Sequence, residues 1–280
     1  MIRNIAFLSG LSLIATAIYF DNKLLKVSKY EVRSKKIPRE FNKFKIIQLS
    51  DFHNYSFCGK DNNMVINKIT REHPDIIVMT GDMINKYDKN FENFFRLAEV
   101  LSDKYEIYYI VGNHEKSLKN NYFNLIMDKL QSIGIKILND KKITIWRERE
   151  HINLYGIDIP LIFYKTQNKF NNIEPIINSM LNKCSDKEYN ILLAHNPLYF
   201  NTYANYHVDL TLSGHVHGGM IRLPFVGAIL SPERKFFPKY SSGIYDINNK
   251  KLVVSRGMGH SNPGFRLFNM PEILSITLSH

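Results

Sequence analysis

The chain has 280 residues, of which 44% are hydrophobic and 22% charged, a composition typical of a globular protein with one large or two small domains. Its two cysteines, Cys58 and Cys184, exclude a disulfide framework and a Cys-x-x-Cys zinc or redox site. The formal net charge of +11 favours a polyanionic partner such as anionic lipid, a phosphorylated polymer or nucleic acid.

The N-terminal segment, residues 5–20, is apolar and carries no charge. It is slightly shorter than the ~20 residues that span a bilayer core upright. We predict an uncleaved membrane anchor over residues 1–22, with a cleaved signal peptide and a buried helix as the alternatives. The side of the membrane stays open, because lysines after the segment favour a cytoplasmic domain whereas a secretory signal carries its charge in front.

Lysines and arginines are concentrated in residues 23–45, directly after the apolar segment. This position favours contact with an anionic membrane surface over a nucleic-acid groove, for which we would expect basic residues around the active site. A general lysine richness of the chain is the alternative explanation. We predict a basic linker over residues 23–43 and one catalytic domain over residues 44–280.

The first half of this domain alternates between strand-like and helix-like patterns. In chain order, strands and helices alternate at residues 44–50, 64–72, 75–80, 91–102, 106–111 and 122–133. Such alternation favours a largely parallel sheet, in which ligand sites collect at the carboxyl ends of the strands.

The second half is richer in strand patterns. Strands are predicted at residues 136–138, 143–146, 152–157, 190–194, 209–213, 243–247, 251–255 and 272–278. A helix is predicted at residues 173–182, and the short polar connection between the strands at 243–247 and 251–255 indicates a hairpin.

Short polar motifs follow the apolar stretches. They are Asp51-Phe52-His53, Gly81-Asp82, Gly112-Asn113-His114-Glu115, Ala194-His195-Asn196-Pro197, Gly214-His215 and His217-Gly218-Gly219. Carboxylate, amide and imidazole groups are ligands of divalent first-row metals. The ordered set therefore predicts a two-metal site at the carboxyl edge of the sheet, suited to in-line attack on phosphorus between ions about 3.5–4 Å apart.

The individual ligands fit such a site. Asp82 is the natural bridge, because a carboxylate between two ions offsets their repulsion. Asp51 and His53 have an i, i+2 spacing at a strand end, which places both side chains on one side, and His215 and His217 share this spacing. The amide oxygen of Asn113 and the imidazole of His195 are further donors.

The motifs occur in the order D-x-H, G-D, G-N-H-[ED], H and G-H-x-H. In this order the chain resembles the calcineurin-like metallophosphoesterase superfamily over residues 44–278. The resemblance implies an α/β (α+β) fold, a four-layer α/β/β/α sandwich of two mixed sheets flanked by helices. It implies one metal held by Asp51, His53, Asp82 and His217 and a second held by Asp82, Asn113, His195 and His215. His114 would be catalytic, as a general acid or a stabiliser of phosphoryl charge.

Residues 214–220, 255–266 and 270–273 resemble a bacterial membrane-associated branch of that superfamily. This branch includes phosphodiesterases and enzymes that cleave the pyrophosphate of UDP-2,3-diacylglucosamine. The resemblance implies hydrolysis of a phosphodiester or pyrophosphate bond in a lipid-linked or cell-envelope substrate, by a hydroxide that bridges the metals. A nuclease or cyclic-nucleotide phosphodiesterase on the same site is the alternative, and a non-catalytic scaffold a remote one. Mn²⁺ is the metal expected on family grounds, with Fe, Zn²⁺ or Co²⁺ as alternatives.

Residues outside the ligand set are weaker candidates. Arg256 and Arg266 are candidates to bind a substrate phosphate, because a guanidinium matches phosphate oxygens in pairs, with a structural salt bridge as the alternative. His260 is a candidate to line the site. We expect Glu115 to hold a ligand histidine, with a surface position as the alternative. The oligomeric state and the natural substrate stay open.

Overall fold

The computed structural model describes residues 16, 19, 21, 23–57, 62–164, 172–219, 221–223, 225–231, 236–260 and 266–280. The predicted anchor at residues 1–22 therefore lies almost wholly outside the described residues. Among those that are described, no helix is long and apolar enough to cross a bilayer.

The described chain forms two six-stranded sheets and one two-stranded ribbon. The strands are β1 (Lys26–Arg33), β2 (Lys45–Leu49), β3 (Ile76–Met79), β4 (Glu106–Tyr109), β5 (Lys136–Ile137), β6 (Lys141–Arg147), β7 (Glu150–Ile157), β8 (Asn190–Ala194), β9 (Leu210–Ser213), β10 (Ile221–Leu223), β11 (Gly227–Leu230), β12 (Gly243–Ile247), β13 (Lys250–Val254) and β14 (Glu272–Ser279). The first sheet has the order β1-β14-β2-β3-β4-β5, the second has the order β12-β13-β9-β8-β7-β6, and β10 and β11 form the ribbon.

Six α-helices are present in the described part of the chain. They are α1 (Asn63–Glu72), α2 (Glu92–Ser102), α3 (Asn113–Lys116), α4 (Asn120–Ser132), α5 (Glu174–Leu181) and α6 (Phe200–Tyr203). Helices α1 and α2 are the crossovers between the parallel strands β2, β3 and β4, as the alternating pattern predicts. The predicted hairpin is confirmed as the antiparallel pair β12–β13.

The two large sheets are joined by one apolar core. Ile46 and Val78 of the first sheet are buried in the same cluster as Leu154, Leu193 and Leu212 of the second sheet. The outer face of the first sheet is covered by α1, α2 and α4, and that of the second sheet by α5 and α6. The fold is thus mixed α/β with two large mixed sheets between helices, as predicted.

The segment predicted as a basic linker, residues 23–43, contains a strand instead. β1 pairs in parallel with β14 along its whole length, from Lys26 opposite Glu272 to Arg33 opposite Ser279. From Lys29 to Arg33 charged residues alternate with Tyr30 and Val32, so that Val32 is buried while Lys29 and Arg33 are exposed. The prediction of a linker is wrong because it rested on the number of charges alone. The first sheet begins at Lys26.

Candidate metal centre

The predicted ligands lie where strands of both sheets end. Asp51 follows β2, Asp82 follows β3 and Asn113 begins α3 shortly after β4. From the second sheet, His195 comes directly after β8 and His215 follows β9. Within each sheet these strands are parallel to one another, so their carboxyl ends share one edge. The two edges meet, and the ligands converge from both sheets.

Asp51, His53 and His217 form the first group of ligand atoms. The Nε2 atoms of His53 and His217 are 3.0 Å apart, and the Nε2 atom of His217 lies 3.4 Å from Oδ1 of Asp51. One ligand atom from each residue lies within 4.8 Å of the other two. Burial lowers the pKa of His53 to about 3 and holds that of His217 well below its ordinary value, so both imidazoles are neutral and have lone pairs to donate. This group has the donors of one metal position.

Asp82, His195 and His215 form the second group, again with ligand atoms within 4.8 Å of one another. The Oδ2 atom of Asp82 lies 3.2 Å from Nε2 of His195. Burial alone would lower the pKa of His195, but the carboxylate of Asp82 raises it to about 10. A metal cation at this position would displace that proton, because an imidazole must be deprotonated to bind a metal.

Asp82 also connects the two groups. Its carboxylate lies within 4.8 Å of ligand atoms of His53 and His114, in addition to those of His195 and His215. Oδ1 of Asn113 is buried and has no hydrogen-bond partner among the described residues, although a buried amide oxygen normally has one. An orphaned oxygen beside a shared, buried carboxylate fits a pair of divalent cations.

The orientation of the two central histidines is set by the backbone. Nδ1 of His195 lies 2.7 Å from the carbonyl oxygen of Thr80, which leaves Nε2 facing Asp82. The backbone N–H of Lys86 donates to Nδ1 of His114 at 3.2 Å. In neutral His114 the hydrogen is therefore on Nε2, which lies 3.9 Å from Oδ2 of Asp82. His114 thus presents a hydrogen-bond donor to the centre of the site.

Glu115 is buried beneath the site and does not hold a histidine. Its carboxylate accepts backbone N–H groups from Asp82 at 2.9 Å, Met83 at 2.7 Å and Gly112 at 2.8 Å. Burial, followed by the charge of Asp82, raises the pKa of Glu115 to about 7. The expectation of a histidine partner or a surface position is therefore wrong. The carboxylate of Glu115 thus satisfies buried backbone donors of the two turns that carry Asp82 and Asn113.

Left-handed backbone conformations recur at the ligands. Asp51, His53, Asp82, His215 and His217 have φ values between 50° and 70°. Such conformations cost non-glycine residues on the order of 1–3 kcal/mol each and concentrate at functional sites. The turns at these residues direct successive side chains towards one place, so that short loops after the strands supply many donors.

The three candidate substrate residues belong to segments that contact the first ligand loop. The N–H of Gly259 donates to the carbonyl of Asp51 at 2.6 Å, so the loop that contains Arg256 and His260 lies against this ligand. The ring of His260 lies 4.5 Å from that of Tyr55. Arg266 is buried, and its guanidinium donates to the carbonyls of Gly259, Arg256 and Gly257. A substrate-binding role for Arg256, His260 and Arg266 remains a prediction, and the structure gives Arg266 a backbone-bracing role besides.

Two residues near the ligands were not found from the sequence. Tyr164 lies edge-on to His215, with ring centroids 5.0 Å apart. The side-chain amide of Asn269 donates to the carbonyls of His217 and Gly219, both at 2.7 Å, and so fixes the last ligand loop. Neither residue belongs to a ligand motif, and both reach the site through tertiary contacts that no local pattern indicates.

Comparison with known proteins agrees with this geometry. Residues 44–219 match the family model of the calcineurin-like phosphoesterases, and the chain belongs to that family. It is similar to the uncharacterized metallophosphoesterase YkuE of Bacillus subtilis, with 30% identity over 94% of this chain and 88% of the relative. It is also similar to the phosphodiesterase YaeI of Escherichia coli, with 28% identity over 84% and 82% of the two chains. A transmembrane protein with a metallophosphoesterase domain from Bos taurus is 27% identical over 99% of this chain and 63% of its own length.

Proposed function

We propose that the protein hydrolyses a phosphodiester or pyrophosphate bond of a lipid-linked or cell-envelope substrate at a dinuclear metal centre. The observation that carries the proposal is the convergence of two ligand groups on the buried carboxylate of Asp82. Membership of the calcineurin-like family supports the reaction class. The remote alternative, a non-catalytic scaffold, does not explain why an intact ligand set is preserved in left-handed turns.

The residues present assign the roles. Asp51, His53, Asp82 and His217 would hold one ion, and Asp82, Asn113, His195 and His215 the other. When bound, two divalent ions supply Lewis-acid stabilisation of a phosphoryl group and a nucleophile for in-line displacement. Mn²⁺ is the ion that we propose, and Fe, Zn²⁺ or Co²⁺ have the same kinds of ligand.

His114 acts on the substrate side of this centre. Because the N–H of Lys86 occupies its Nδ1, the neutral imidazole donates from Nε2. This N–H can hydrogen-bond to a phosphoryl oxygen as negative charge develops, or to the leaving-group oxygen as it departs. Burial lowers the pKa of His114, which favours the neutral donor at neutral pH.

The membrane part of the proposal rests on the chain and on its relatives. Residues 5–20 have the composition of an anchor, and the bovine relative is named as a transmembrane protein. The E. coli relative is named as a phosphodiesterase, which supports a diester as the scissile group. We propose a cell-membrane location with a single N-terminal anchor.

The nucleic-acid alternative is disfavoured by the location of the lysine-rich cleft. A cleft of about 680 Å³ is lined by Arg33, Lys35, Lys36, Lys250 and Lys251. This cleft lies beside Asp209, at the amino end of β9, whereas His215 follows the carboxyl end of that strand. A polyanion bound there would not run through the metal centre.

The test is turnover of bis-(p-nitrophenyl) phosphate and p-nitrophenyl phosphate by the full chain, first stripped of metal and then supplied with Mn²⁺, Zn²⁺, Co²⁺ or Mg²⁺. We expect Mn²⁺ to restore cleavage of the diester. UDP-2,3-diacylglucosamine, a cyclic nucleotide and single-stranded DNA are then compared as substrates, and preference for either of the last two would favour the alternative. Failure to hydrolyse any of these compounds with any metal would overturn the proposal.

A further inference from the structure

An exposed apolar surface lies beside the last ligand loop, residues 214–219. At the tip of the β10–β11 ribbon Phe225 is fully exposed, Val226 is 60% exposed and Leu223 is 41% exposed. Phe268, from the segment before β14, is 39% exposed and lines the same open cavity of about 420 Å³. Single exposed apolar residues are ordinary, but a contiguous group marks an interaction surface. We call these four residues the apolar ribbon tip.

Two arginines lie at the base of this apolar ribbon tip. Arg222 and Arg256 line the same cavity, and Nη1 of Arg222 donates to the carbonyl of Gly218 at 2.7 Å. A Cβ atom on Gly218 would lie only 2.8 Å from Cγ of Arg256, so this side chain rests directly on the glycine that follows His217. The guanidinium of Arg222 and the aliphatic stem of Arg256 thus both contact the ligand loop.

The charge of this pair is only partly compensated. Nε of Arg256 lies 3.9 Å from Oε1 of Glu272, a carboxylate that also pairs with Lys26 at 3.4 Å. Burial, followed by the charge of Arg256, lowers the pKa of Arg222, which indicates that the two cations are close to each other. Two neighbouring guanidinium groups with a shared, distant carboxylate are complementary to a phosphate group.

The N-terminal apolar segment leads to the same place. Asp21 directly follows residues 5–20 in the sequence, and its Oδ2 atom accepts the backbone N–H of Asn269 at 2.9 Å. Asn269 in turn holds the carbonyls of His217 and Gly219. The end of the predicted anchor, the arginine pair and the apolar ribbon tip therefore surround one loop, which carries metal ligands.

We propose that this face docks on the headgroup layer of an anionic phospholipid bilayer. The apolar ribbon tip enters the boundary between headgroups and acyl chains, and Arg222 and Arg256 contact lipid phosphates. The inference rests on the proposed function in taking the substrate to be borne by the membrane. In this orientation of the protein on the membrane, the metal centre opens towards the bilayer surface rather than away from it.

The test places a fluorophore at the tip of the full-length protein. Trp146 is the single tryptophan of the chain and lies exposed on β6, an edge strand of the second sheet. A Trp146→Phe/Phe225→Trp double variant is mixed with vesicles of phosphatidylglycerol and phosphatidylcholine that carry brominated acyl chains. We expect its emission to be quenched at least twofold and shifted to shorter wavelength, whereas the wild-type emission from Trp146 is not quenched.

Further variants and vesicles separate the contributions. Arg222→Gln and Arg256→Gln, made in the double-variant background, should reduce the quenching by at least half. Lys35→Gln is the matched control, because it removes the same charge in the basic cleft at the other end of β9. Equal quenching by purely zwitterionic vesicles would overturn the preference for an anionic bilayer.

If the double variant is bound to the vesicles but its emission is not quenched, the docking proposal is overturned. A protein partner would then be the occupant of the apolar ribbon tip. Turnover of bis-(p-nitrophenyl) phosphate by the wild-type protein without vesicles is measured in parallel. Lost turnover with retained quenching would count against the proposed function alone, and retained turnover without quenching against the docking alone.

Discussion

Substitution of Gly112 by alanine should displace the carboxylate shared by both metal positions. A Cβ atom at Gly112 would lie 2.2 Å from Oδ1 of Asp82, 2.6 Å from its backbone nitrogen and 2.8 Å from Cγ. Since separations below 3.0 Å are essentially never observed, Oδ1 must move by about 3.0 − 2.2 = 0.8 Å. The backbone of Asp82 cannot give way easily, because its N–H is bound by Glu115.

This displacement is large compared with what a metal site tolerates. Ligand distances in protein metal sites are held within about 0.2 Å, and a misplacement of about 1 Å can cost roughly 100-fold in rate. We therefore expect Gly112→Ala to bind fewer than two metal ions per chain and to lose at least about 100-fold in turnover of bis-(p-nitrophenyl) phosphate at saturating Mn²⁺. Bound metal is counted by inductively coupled plasma mass spectrometry.

Gly134→Ala is the matched control. Gly134 has a φ of 83°, so alanine there costs on the order of 1–2 kcal/mol in backbone strain, but apart from its chain neighbours no atom of the described residues lies within 4 Å of the added Cβ. Gly112 has a φ of −102°, which any residue adopts, so its effect is purely steric. Two bound ions and wild-type turnover in Gly112→Ala would refute this prediction, as would a loss of activity in Gly134→Ala as large as that in Gly112→Ala.

Three further predictions concern stability. Glu115→Gln should lower the melting temperature and weaken metal binding, because an amide nitrogen cannot accept backbone N–H groups. Each N–H left without an acceptor costs about 1–3 kcal/mol. An unchanged melting temperature would contradict this prediction. Chelation of the two metals should lower the melting temperature by roughly 10–20 °C, since each ion at 100 times its Kd contributes about 2.7 kcal/mol and each kcal/mol is worth about 2–4 °C. Calorimetry with and without EDTA checks it. Burial acts to raise the pKa of Glu72, but hydrogen bonds from Lys29 and Ser275 outweigh it and the pKa lies below its ordinary value of 4.5. The stability from this ionised carboxylate is thus present above pH 4.5 and lost as the pH falls through the lowered pKa, so Glu72→Gln should lose less stability than the wild type between about pH 5 and pH 3 in urea unfolding.

The clustering of the candidate metal ligands was largely predictable because their motifs are local. Asp51, Asp82 and His195 each follow a short buried strand, and the parallel-sheet rule places such residues at one edge. The meeting of two sheet edges, however, follows from the long-range core that joins residues such as Ile46 and Leu193. Sequence patterns predict the strands that carry these ligands, but the resemblance to a known family was needed to place the two sheets against each other.

What the sequence did not predict depends on tertiary contacts. The basic composition of residues 23–43 predicts a linker, whereas β1 is a strand because it pairs with the distant β14. Glu115 lies one residue after His114, and only the folded turn reveals that its carboxylate serves backbone N–H groups. Asn269 is 52 residues from His217 and carries no motif of its own. These residues are recognised by what they touch, and a local pattern does not contain that information.

The central claim is that two ions share Asp82, and one measurement tests it most directly. Mn²⁺ is titrated into metal-stripped wild-type protein and into Asp82→Asn, and bound ions per chain are counted alongside turnover of bis-(p-nitrophenyl) phosphate. The account predicts two ions in the wild type, with turnover appearing only as the second ion binds, and at most one ion with no turnover in Asp82→Asn. Hydrolysis by the metal-free protein, or two ions and full turnover in Asp82→Asn, would contradict it.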